Sequence, residues 1–357
     1  MNTINFGIIG GGWRTEFYMR IAEELPSRFI VSGVVVRDAA KGAAFEKRWN
    51  VRTFRTAGEL VKSAKPAFVV LSVPWKASPN LILELAALDI PVLAETPPAP
   101  DIPAIDQLMT DIPKHARVQV AEQYPFQPHL AAALTVAQSG KLGIVSQVQA
   151  SLAHGYHGMV MLRKLLGVHA EAASIRAFNF TSPIVNGPGR NGPPEVEEIK
   201  ESAQTVAHIS FGKKLGVFDF SGEQYFSWIR SPRLLVRGDR GEINNDTVRY
   251  LKDFRTPVRS VFFRENAGEN GNLEGHYLKG IMFGDEWIYR NPFIPARLTD
   301  DEIAVAACLE KMNAYVSGGD AFYGLAEASY DHYLGIMMNR AANDGTAVDV
   351  PVPSWMR

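Results

Sequence analysis

The sequence contains almost no cysteine and no long run of apolar residues. Cys308 is the single cysteine in 357 residues, so an intrachain disulfide is excluded. This usage is typical of proteins from a reducing compartment, and together with the lack of a signal-peptide pattern it leads us to expect a cytoplasmic location. No apolar stretch approaches the roughly 20 residues of a membrane-spanning helix, so we expect no membrane partner.

A surplus of charge is also missing. The chain has 37 Lys and Arg residues against 38 Asp and Glu residues, a formal net charge of -1. Proteins that bind nucleic acid normally carry a basic surplus or stripe, so we expect a small-molecule substrate and no nucleic acid. His154 and His157 are close in sequence, but they have no acidic or cysteine neighbour. We therefore expect no metal site.

The sequence does contain a clear change of pattern near residue 120. Residues 1–120 alternate short apolar strands with helical segments, which predicts βαβ units and a parallel doubly wound sheet. Residues 121–357 contain longer β segments with imperfect alternation, which predicts a large, mostly antiparallel open sheet. We expect an α/β protein whose second domain is α+β, with a C-terminal tail that packs back on the first domain.

Individual elements can be placed from the same patterns. Strands are predicted over residues 4–9, 29–36, 68–73 and 91–94, then over 145–152, 203–211, 215–220, 233–237, 247–251 and 348–352. Helices are predicted over residues 17–25, 39–49, 81–88, 129–139, 159–166, 300–316 and 324–342. Two segments rich in Gly with Pro, Asn or Glu, Thr181–Pro194 and Arg264–Gly275, predict long surface loops.

A glycine-rich turn follows the first predicted strand. Gly10 permits a tight turn, and Gly12 lets backbone N–H groups approach a pyrophosphate at the helix N-terminus, where Trp13 and Arg14 follow. The third position of the G-x-G-x-x-G pattern is Thr15, which we expect to loosen the packing of helix on strand slightly. Strand, turn and helix together predict a Rossmann dinucleotide-binding domain in residues 1–120.

The end of the second strand bears on the choice of cofactor. The acidic residue that normally binds the adenosine ribose of NAD falls on Val36, and Arg37 follows it. Without a carboxylate, a 2′-phosphate meets no repulsion, and Arg37 can pair with it. Alternatively, Arg37 is a solvated loop charge and Asp38 caps the next helix. We expect NADP or NAD, with NADP favoured.

Further short motifs extend along nearly the whole chain. In order they are Ser72-Val73-Pro74-Trp75, Glu95-Thr96-Pro97, Ser139–Gly143, His157–Val160 with Leu166-Gly167, and Tyr323–Ala328 leading through His332 to Ala342. With the glycine turn, their order and spacing resemble the Gfo/Idh/MocA family of sugar and cyclitol oxidoreductases. The resemblance implies an NAD(P)-dependent dehydrogenase or reductase that acts on a CH–OH group of a sugar, cyclitol or glycoside. It also implies that Ser72, Pro74, Trp75, Glu95 and Thr96 line the cofactor site.

The sequence departs from the family pattern at the residues that handle protons. Thr96 stands in place of the lysine of Glu-Lys-Pro, and Val160 in place of the aspartate of His-x-x-Asp. Trp75 and Ser78 replace the Asn and His of the strand-four motif. Oxidation of an alcohol needs a group that takes the hydroxyl proton. Of the usual set, only His157 remains.

These substitutions leave His157 to take the proton alone or with Tyr156 or Tyr124, beside Thr96 as a hydrogen-bonding group. In the alternative interpretation, His157 takes no part in proton transfer, and Tyr156 and Tyr124 are core residues or line the wall of a pocket. Two other functions stay open: a non-redox enzyme that uses bound NAD(P), and a nicotinamide-nucleotide-binding protein without dehydrogenase turnover. Because an open apolar sheet face seldom stays solvated, we expect a homodimer or homotetramer.

Overall fold

The computed structural model describes residues 3–356, which divide into two compact units. The first unit extends to Pro128 and also contains Glu265–Gly280 and Arg290–Ser329. The second unit contains His129–Arg264, Ile281–Tyr289 and the residues from Tyr330 onward. The chain thus returns to each unit more than once. The simple division at residue 120, with a tail that packs back on the first domain, stays a prediction.

The first unit contains a parallel six-stranded sheet. Its strands lie in the order β3-β2-β1-β4-β5-β6, with parallel pairing throughout. Their bounds are β1 Ile4–Ile9, β2 Phe29–Val35, β3 Thr53–Phe54, β4 Phe68–Leu71, β5 Val92–Ala94 and β6 Val118–Val120. The strands are short, apolar and largely buried, as expected for a parallel sheet covered by helices. This confirms the predicted Rossmann-like sheet.

Helices connect the strands of this sheet. Their bounds are α1 Thr15–Glu24, α2 Ala39–Trp49, α3 Ala57–Ala64, α4 Ser78–Ala87 and α5 Ile102–Asp111. Side-chain caps begin three of them, because Asp38, Thr56 and Asp101 each accept a backbone N–H of the first turn. The next helix of this unit, α8 Asp300–Val316, comes from far along the chain. Arginines in the N-terminal part of the unit form ion pairs with its acidic residues, Arg14 with Asp301, Arg20 with Glu302 and Arg28 with Glu310.

The second unit is built on an eleven-stranded sheet in the order β16-β15-β14-β13-β12-β11-β7-β10-β9-β8-β17. Pairing is mostly antiparallel, and β7 with β10 is a parallel exception. The strand bounds are β7 Val145–Ser151, β8 Ala173–Val185, β9 Ile199–Phe211, β10 Lys214–Ser221, β11 Arg233–Gly238, β12 Gly241–Asn244, β13 Thr247–Asp253, β14 Thr256–Asn266, β15 Leu278–Phe283, β16 Glu286–Arg290 and β17 Val348–Val350. The predicted large, mostly antiparallel sheet is confirmed.

Three further helices complete the chain: α6 Pro128–Gln138, α7 Gly155–Leu166 and α9 Leu325–Asp344. Helix α7 packs on β7 and β10, so it lies on one face of the large sheet. Short 3-10 segments occur at Tyr124–Phe126, Gly222–Tyr225 and Ser354–Met356.

Both predicted loops are shorter than their composition suggests. Residues 181–185 continue strand β8, because its pairing with β9 extends to Val185 opposite Ile199. Strand β14 likewise extends to Asn266. Pairing with a neighbouring strand outweighs a local preference for turns in both places. The final strand, β17, lies at the sheet edge beside β8.

Candidate functional site

The glycine turn follows β1 at the carboxyl edge of the parallel sheet. The strand order reverses here, because β2 and β3 lie on one side of β1 and β4 to β6 lie on the other. Gly10 has a φ of +122°, and a Cβ atom there would lie 1.9 Å from the carbonyl oxygen of Ser72. Only glycine fits such a close approach. A Cβ at Gly12 would meet nothing within 4 Å. The turn therefore has open space beside it at the switch point, where sheets of this kind bind nucleotides.

Thr15, at the third position of the glycine pattern, hydrogen-bonds to this turn from the start of α1. Its side chain is fully buried, and its Oγ1 donates a hydrogen bond to the carbonyl oxygen of Gly10 at 3.0 Å. The hydroxyl thus ties the first turn of α1 to the glycine turn. Helix α1 has no side-chain cap at its start, and the first three N–H groups of the helix donate to the carbonyl oxygens of residues 12–14.

The end of β2 carries arginines and no ribose-binding carboxylate at the expected position. Val36 is buried, and its carbonyl oxygen accepts from Arg55 Nη1 at 2.8 Å. The Arg37 side chain is exposed. Asp38 Oδ1 accepts from the backbone N–H of Lys41 at 2.8 Å, so Asp38 is a helix cap. The segment directly after β2 therefore carries Arg37 and receives Arg55, with no carboxylate at position 36.

Glu95 forms the centre of a partly buried network at the end of β5. Its Oε1 accepts from Arg14 Nε at 2.9 Å and from the Tyr18 hydroxyl at 2.5 Å. Burial and the nearby Glu95 raise the pKa of Tyr18 well above its usual value, so this hydroxyl remains a donor. Burial alone would lower the pKa of Arg14, but Glu95, Tyr18 and Asp301 raise it overall. Through these two contacts, Glu95 holds the start of α1 against the end of β5.

The other residues expected around the cofactor also belong to the first unit. Ser72 follows β4 and is half-buried, Pro74 is exposed, and Thr96 follows Glu95 and is half-buried. The indoles of Trp13 and Trp75 are each 55% exposed. The buried hydroxyl of Ser78, at the start of α4, has no hydrogen-bond partner among the described residues. A buried polar group without a partner, at the carboxyl edge of the parallel sheet, fits a site for a polar ligand.

The second unit brings together a group that we call the histidine cluster: His154, Tyr156, His157 and His332. The ring centroids of Tyr156 and His157 are 4.3 Å apart, those of His154 and His157 are 5.0 Å apart, and those of Tyr156 and His332 are 5.5 Å apart. His157 is buried near the start of α7. Tyr124, by contrast, is a buried residue of the first unit. The structure thus places Tyr156 with His157 in one unit and Tyr124 in the other.

Tyr225 fixes the ring of His154. Its hydroxyl accepts from the backbone N–H of His154 at 3.0 Å and lies 2.5 Å from Nδ1 of the same residue. Loss of water around the ring, and then the nearby His157, lower the pKa of His154 to about 4. His154 is therefore neutral near pH 7 and adds no positive charge beside His157.

A buried ion pair joins the two helices that carry the histidine cluster. Arg163 on α7 donates through Nε and Nη2 to the carboxylate of Asp331 on α9, at 2.5 and 2.7 Å. Their side chains are 1% and 0% exposed. Near the other end of the contact, a Cβ at Gly335 would lie 3.2 Å from the backbone nitrogen of Tyr156. This close packing of α9 on α7 brings His332 to Tyr156.

Sequence reasoning did not find the roles of His154, Tyr225 and His332. Two local signals were present in the sequence. One was the short spacing between His154 and His157, and the other was the C-terminal helix motif that contains His332. Within residues 3–356, no group of three or more His, Cys, Asp or Glu residues is arranged to hold a metal ion. Over the same residues, no helix is long and apolar enough to cross a membrane.

Comparison with known proteins identifies the first domain. Residues 4–123 match the family model GFO_IDH_MocA, described as an oxidoreductase family with an NAD-binding Rossmann fold. The resemblance seen in the sequence is thereby confirmed, and with it the expected class of enzyme and an NAD-binding domain. No curated protein sequence matches this chain significantly.

Solved structures extend the similarity over both units. A levoglucosan dehydrogenase in complex with NADH and levoglucosan is 14% identical with a TM-score of 0.70, and the alignment covers 98% of this chain and 100% of that one. A putative myo-inositol dehydrogenase from Sinorhizobium meliloti is 15% identical with a TM-score of 0.67 and the same coverage. An oxidoreductase from Agrobacterium radiobacter, in complex with NAD+, L-tartaric acid and magnesium, is 15% identical with a TM-score of 0.69, over 97% of this chain and 98% of that one. At these identities, the similarity establishes a shared fold.

Proposed function

We propose that this protein is an NAD(P)-dependent oxidoreductase, with NADP the favoured cofactor, that acts on a CH–OH group of a sugar, cyclitol or glycoside. The observation that carries the proposal is the open turn at Gly12, at the switch point of a domain from an NAD-binding oxidoreductase family. The substrate class is supported by the structural relatives named for levoglucosan and myo-inositol, which are both polyhydroxylated rings.

The bound nicotinamide ring supplies a hydride acceptor, and the protein has to accept the hydroxyl proton of the substrate. His157 is the candidate base in the histidine cluster. Tyr156 packs against its ring, and the lowered pKa of His154 means that this neighbour adds no positive charge near pH 7. Thr96 hydrogen-bonds but does not act as a base near neutral pH. Because Val160 is fully buried and apolar, no carboxylate at that position orients the imidazole.

Replacing the base tests this proposal. His157→Ala should lower kcat by roughly 10²–10⁴-fold, the usual effect of losing a general base, and leave cofactor affinity nearly unchanged. His115→Ala is a matched control, since His115 is an exposed histidine in the other unit. Near-full turnover in His157→Ala would exclude its role as a base.

The preference for NADP depends on Arg37. The absence of a carboxylate at Val36 and the capping role of Asp38 remove repulsion against a 2′-phosphate. NADP should then bind more tightly than NAD. Arg37→Ala should narrow that difference by about 1–3 kcal/mol, the usual contribution of a charge-assisted hydrogen bond. Calorimetry that finds equal affinities, unchanged in Arg37→Ala, would refute the preference.

A second candidate function is a nicotinamide-nucleotide-binding protein without turnover. The residues that favour it are Thr96 and Val160, which replace two groups that handle protons in the family. Binding of NADP without its reduction by any sugar would select this candidate. A nucleotide that co-purifies and exchanges slowly during a net non-redox reaction would instead select an enzyme that retains its cofactor.

We also propose that the protein works in the cytoplasm as a homodimer or homotetramer. The single, buried cysteine supports a reducing compartment. Exposed apolar residues on the large sheet, such as Phe178 and Phe180 of β8, support burial of one sheet face by a second copy. A strictly monomeric protein in analytical ultracentrifugation would exclude the assembly.

A further inference from the structure

A loop with exposed apolar side chains begins at Tyr225, the last residue of a short 3-10 segment. We define the aromatic loop as residues 225–230, in which Phe226, Trp228 and Ile229 are exposed. The side chain of Trp228 is the most open of these, at 77%. Neighbouring large apolar groups that stay at the surface together mark a binding surface, whereas single exposed ones are ordinary.

Buried polar contacts hold the aromatic loop in one shape. Gln224, directly before it, is buried, and its Nε2 donates to the carbonyl oxygens of Ser151 at 3.3 Å and Ser231 at 3.1 Å. These bonds join the residues on either side of the loop to each other and tie Gln224 to the end of β7. Inside the loop, Ser227 Oγ accepts from the backbone N–H groups of Ile229 and Arg230, at 3.1 and 3.0 Å. A surface fixed in this way loses little conformational entropy when it binds a ligand.

The aromatic loop adjoins the histidine cluster. Tyr225, its first residue, contacts both the backbone N–H and the Nδ1 of His154. The ring of Tyr225 also packs edge-on against Phe220, at 5.0 Å between centroids. Phe226 and Trp228 are one and three residues after Tyr225, so the aromatic loop begins beside the histidine cluster.

The chemistry of the loop suits a sugar ring. One face of a pyranose carries mainly C–H groups, which pack on an aromatic ring, while its hydroxyl groups bond to polar neighbours. The Arg190 guanidinium lies 5.7 Å from the centroid of Phe226, and Arg230 belongs to the loop itself. Glu223, the acidic residue two positions before Tyr225, accepts hydrogen bonds from the hydroxyls of Ser202 and Ser221, both at 2.8 Å. The loop thus offers aromatic faces bordered by hydrogen-bond donors.

We propose that the aromatic loop binds a second sugar ring, glycosidically linked to the ring whose hydroxyl is oxidised, by stacking on Trp228. This inference rests on the proposed function and deepens it, because it narrows the substrate from a free monosaccharide to a glycoside with at least two rings. The stacked ring takes no part in the chemistry. It contributes affinity and selects for length.

Binding of neutral disaccharides tests the proposal independently of turnover. The probes are cellobiose, maltose, lactose and trehalose, each compared with glucose by calorimetry on the purified protein saturated with reduced cofactor, which cannot accept a hydride. At least one disaccharide should bind more tightly than glucose. Trp228→Ala should weaken that binding on the order of tenfold, the effect of removing an anchoring tryptophan, and leave glucose binding unchanged. Trp228→Phe should retain most of the affinity.

Phe254→Ala is the matched control, because Phe254 is 76% exposed in the same unit but lies outside the loop. It should leave disaccharide binding unchanged. Disaccharide affinity no greater than that of glucose, or equal in the wild type and Trp228→Ala, would overturn the aromatic-loop proposal even where a monosaccharide is oxidised. Dissociation of an oligomer in Trp228→Ala would assign the loop to a second copy instead. Disaccharide binding that depends on Trp228, without cofactor reduction by any sugar, would overturn the proposed function and leave the loop's role standing.

Discussion

Removing the charge of Asp331 should destabilise the protein more than most single substitutions. Asp331 receives two hydrogen bonds from Arg163, which also donates through Nη1 to the carbonyl oxygens of Val168 and His169, both at 2.8 Å. Because the pair is shut off from water, Asp331→Leu removes a carboxylate that is joined to a buried guanidinium by two hydrogen bonds. Loss of one partner of a buried pair costs about 3–5 kcal/mol. We therefore expect that much loss in the free energy of unfolding, measured by urea denaturation.

The double variant Arg163→Met with Asp331→Leu separates charge from packing. It removes both charges of the pair, but it also removes the Arg163 donor from the carbonyl oxygens of Val168 and His169, so it should recover only part of the lost stability. Arg340→Ala is the control on the same helix, since the Arg340–Asp344 pair is exposed and should contribute less than about 1 kcal/mol. If Asp331→Leu costs no more than Arg340→Ala, the buried pair does not hold α7 and α9 together.

Three further outcomes follow from the geometry. Gly12→Val should keep nearly the stability of the wild type, because its side chain enters open space, but lose nucleotide affinity in calorimetry; Gly10→Ala should lose stability as well, because its Cβ would clash with Ser72. The pKa of His154 falls from 6.5 to about 4 on folding, so the unfolded chain binds a proton that the folded one does not, and stability should decline as pH falls from 6.5 towards 4. His154→Asn should flatten that slope in denaturation curves, and an unchanged slope would contradict the assignment. Burial raises the pKa of the Cys308 thiol well above its usual value, so a thiol reagent should react with it only after denaturant unfolds the chain; reaction in the native protein would show that the thiol is accessible.

Local patterns predicted much of the fold. Helix α2 begins after the Asp38 cap, and α8 begins at a capping box between Thr299 and Glu302. For both helices, the predicted bounds are those observed, because caps and periodicity lie within a few residues of each other. The glycine turn was equally visible, since strand, turn and helix are consecutive.

Contacts between distant residues could not be predicted in this way. Arg163 and Asp331 are 168 positions apart, and His154 and Tyr225 are 71 apart. Nothing in the local sequence around any of these residues indicates its partner, because the sheet and the two helices bring them together. The same holds for Val185 and Ile199, which pair across strands although the surrounding composition favours a loop.

The candidate site was predicted in part for the same reason. Motifs identified Gly10, Glu95 and His157, because each follows or begins a recognisable element. The environment that makes His154 neutral depends on Tyr225, and the role of Arg14 and Tyr18 as partners of Glu95 depends on how α1 lies against β5. Such roles follow from tertiary packing, which a single sequence does not reveal.

Reduction of the nicotinamide cofactor by a polyhydroxylated alcohol tests the central claim most directly. The purified protein is mixed with NADP+ or NAD+ and a panel of sugars, cyclitols and glycosides, and the absorbance of the reduced nicotinamide is followed. We expect at least one compound to produce NADPH or NADH with the wild type and with His115→Ala, and far more slowly with His157→Ala. Tight binding of either cofactor, with no reduction by any compound on the panel, would contradict an oxidoreductase and leave a nucleotide-binding protein.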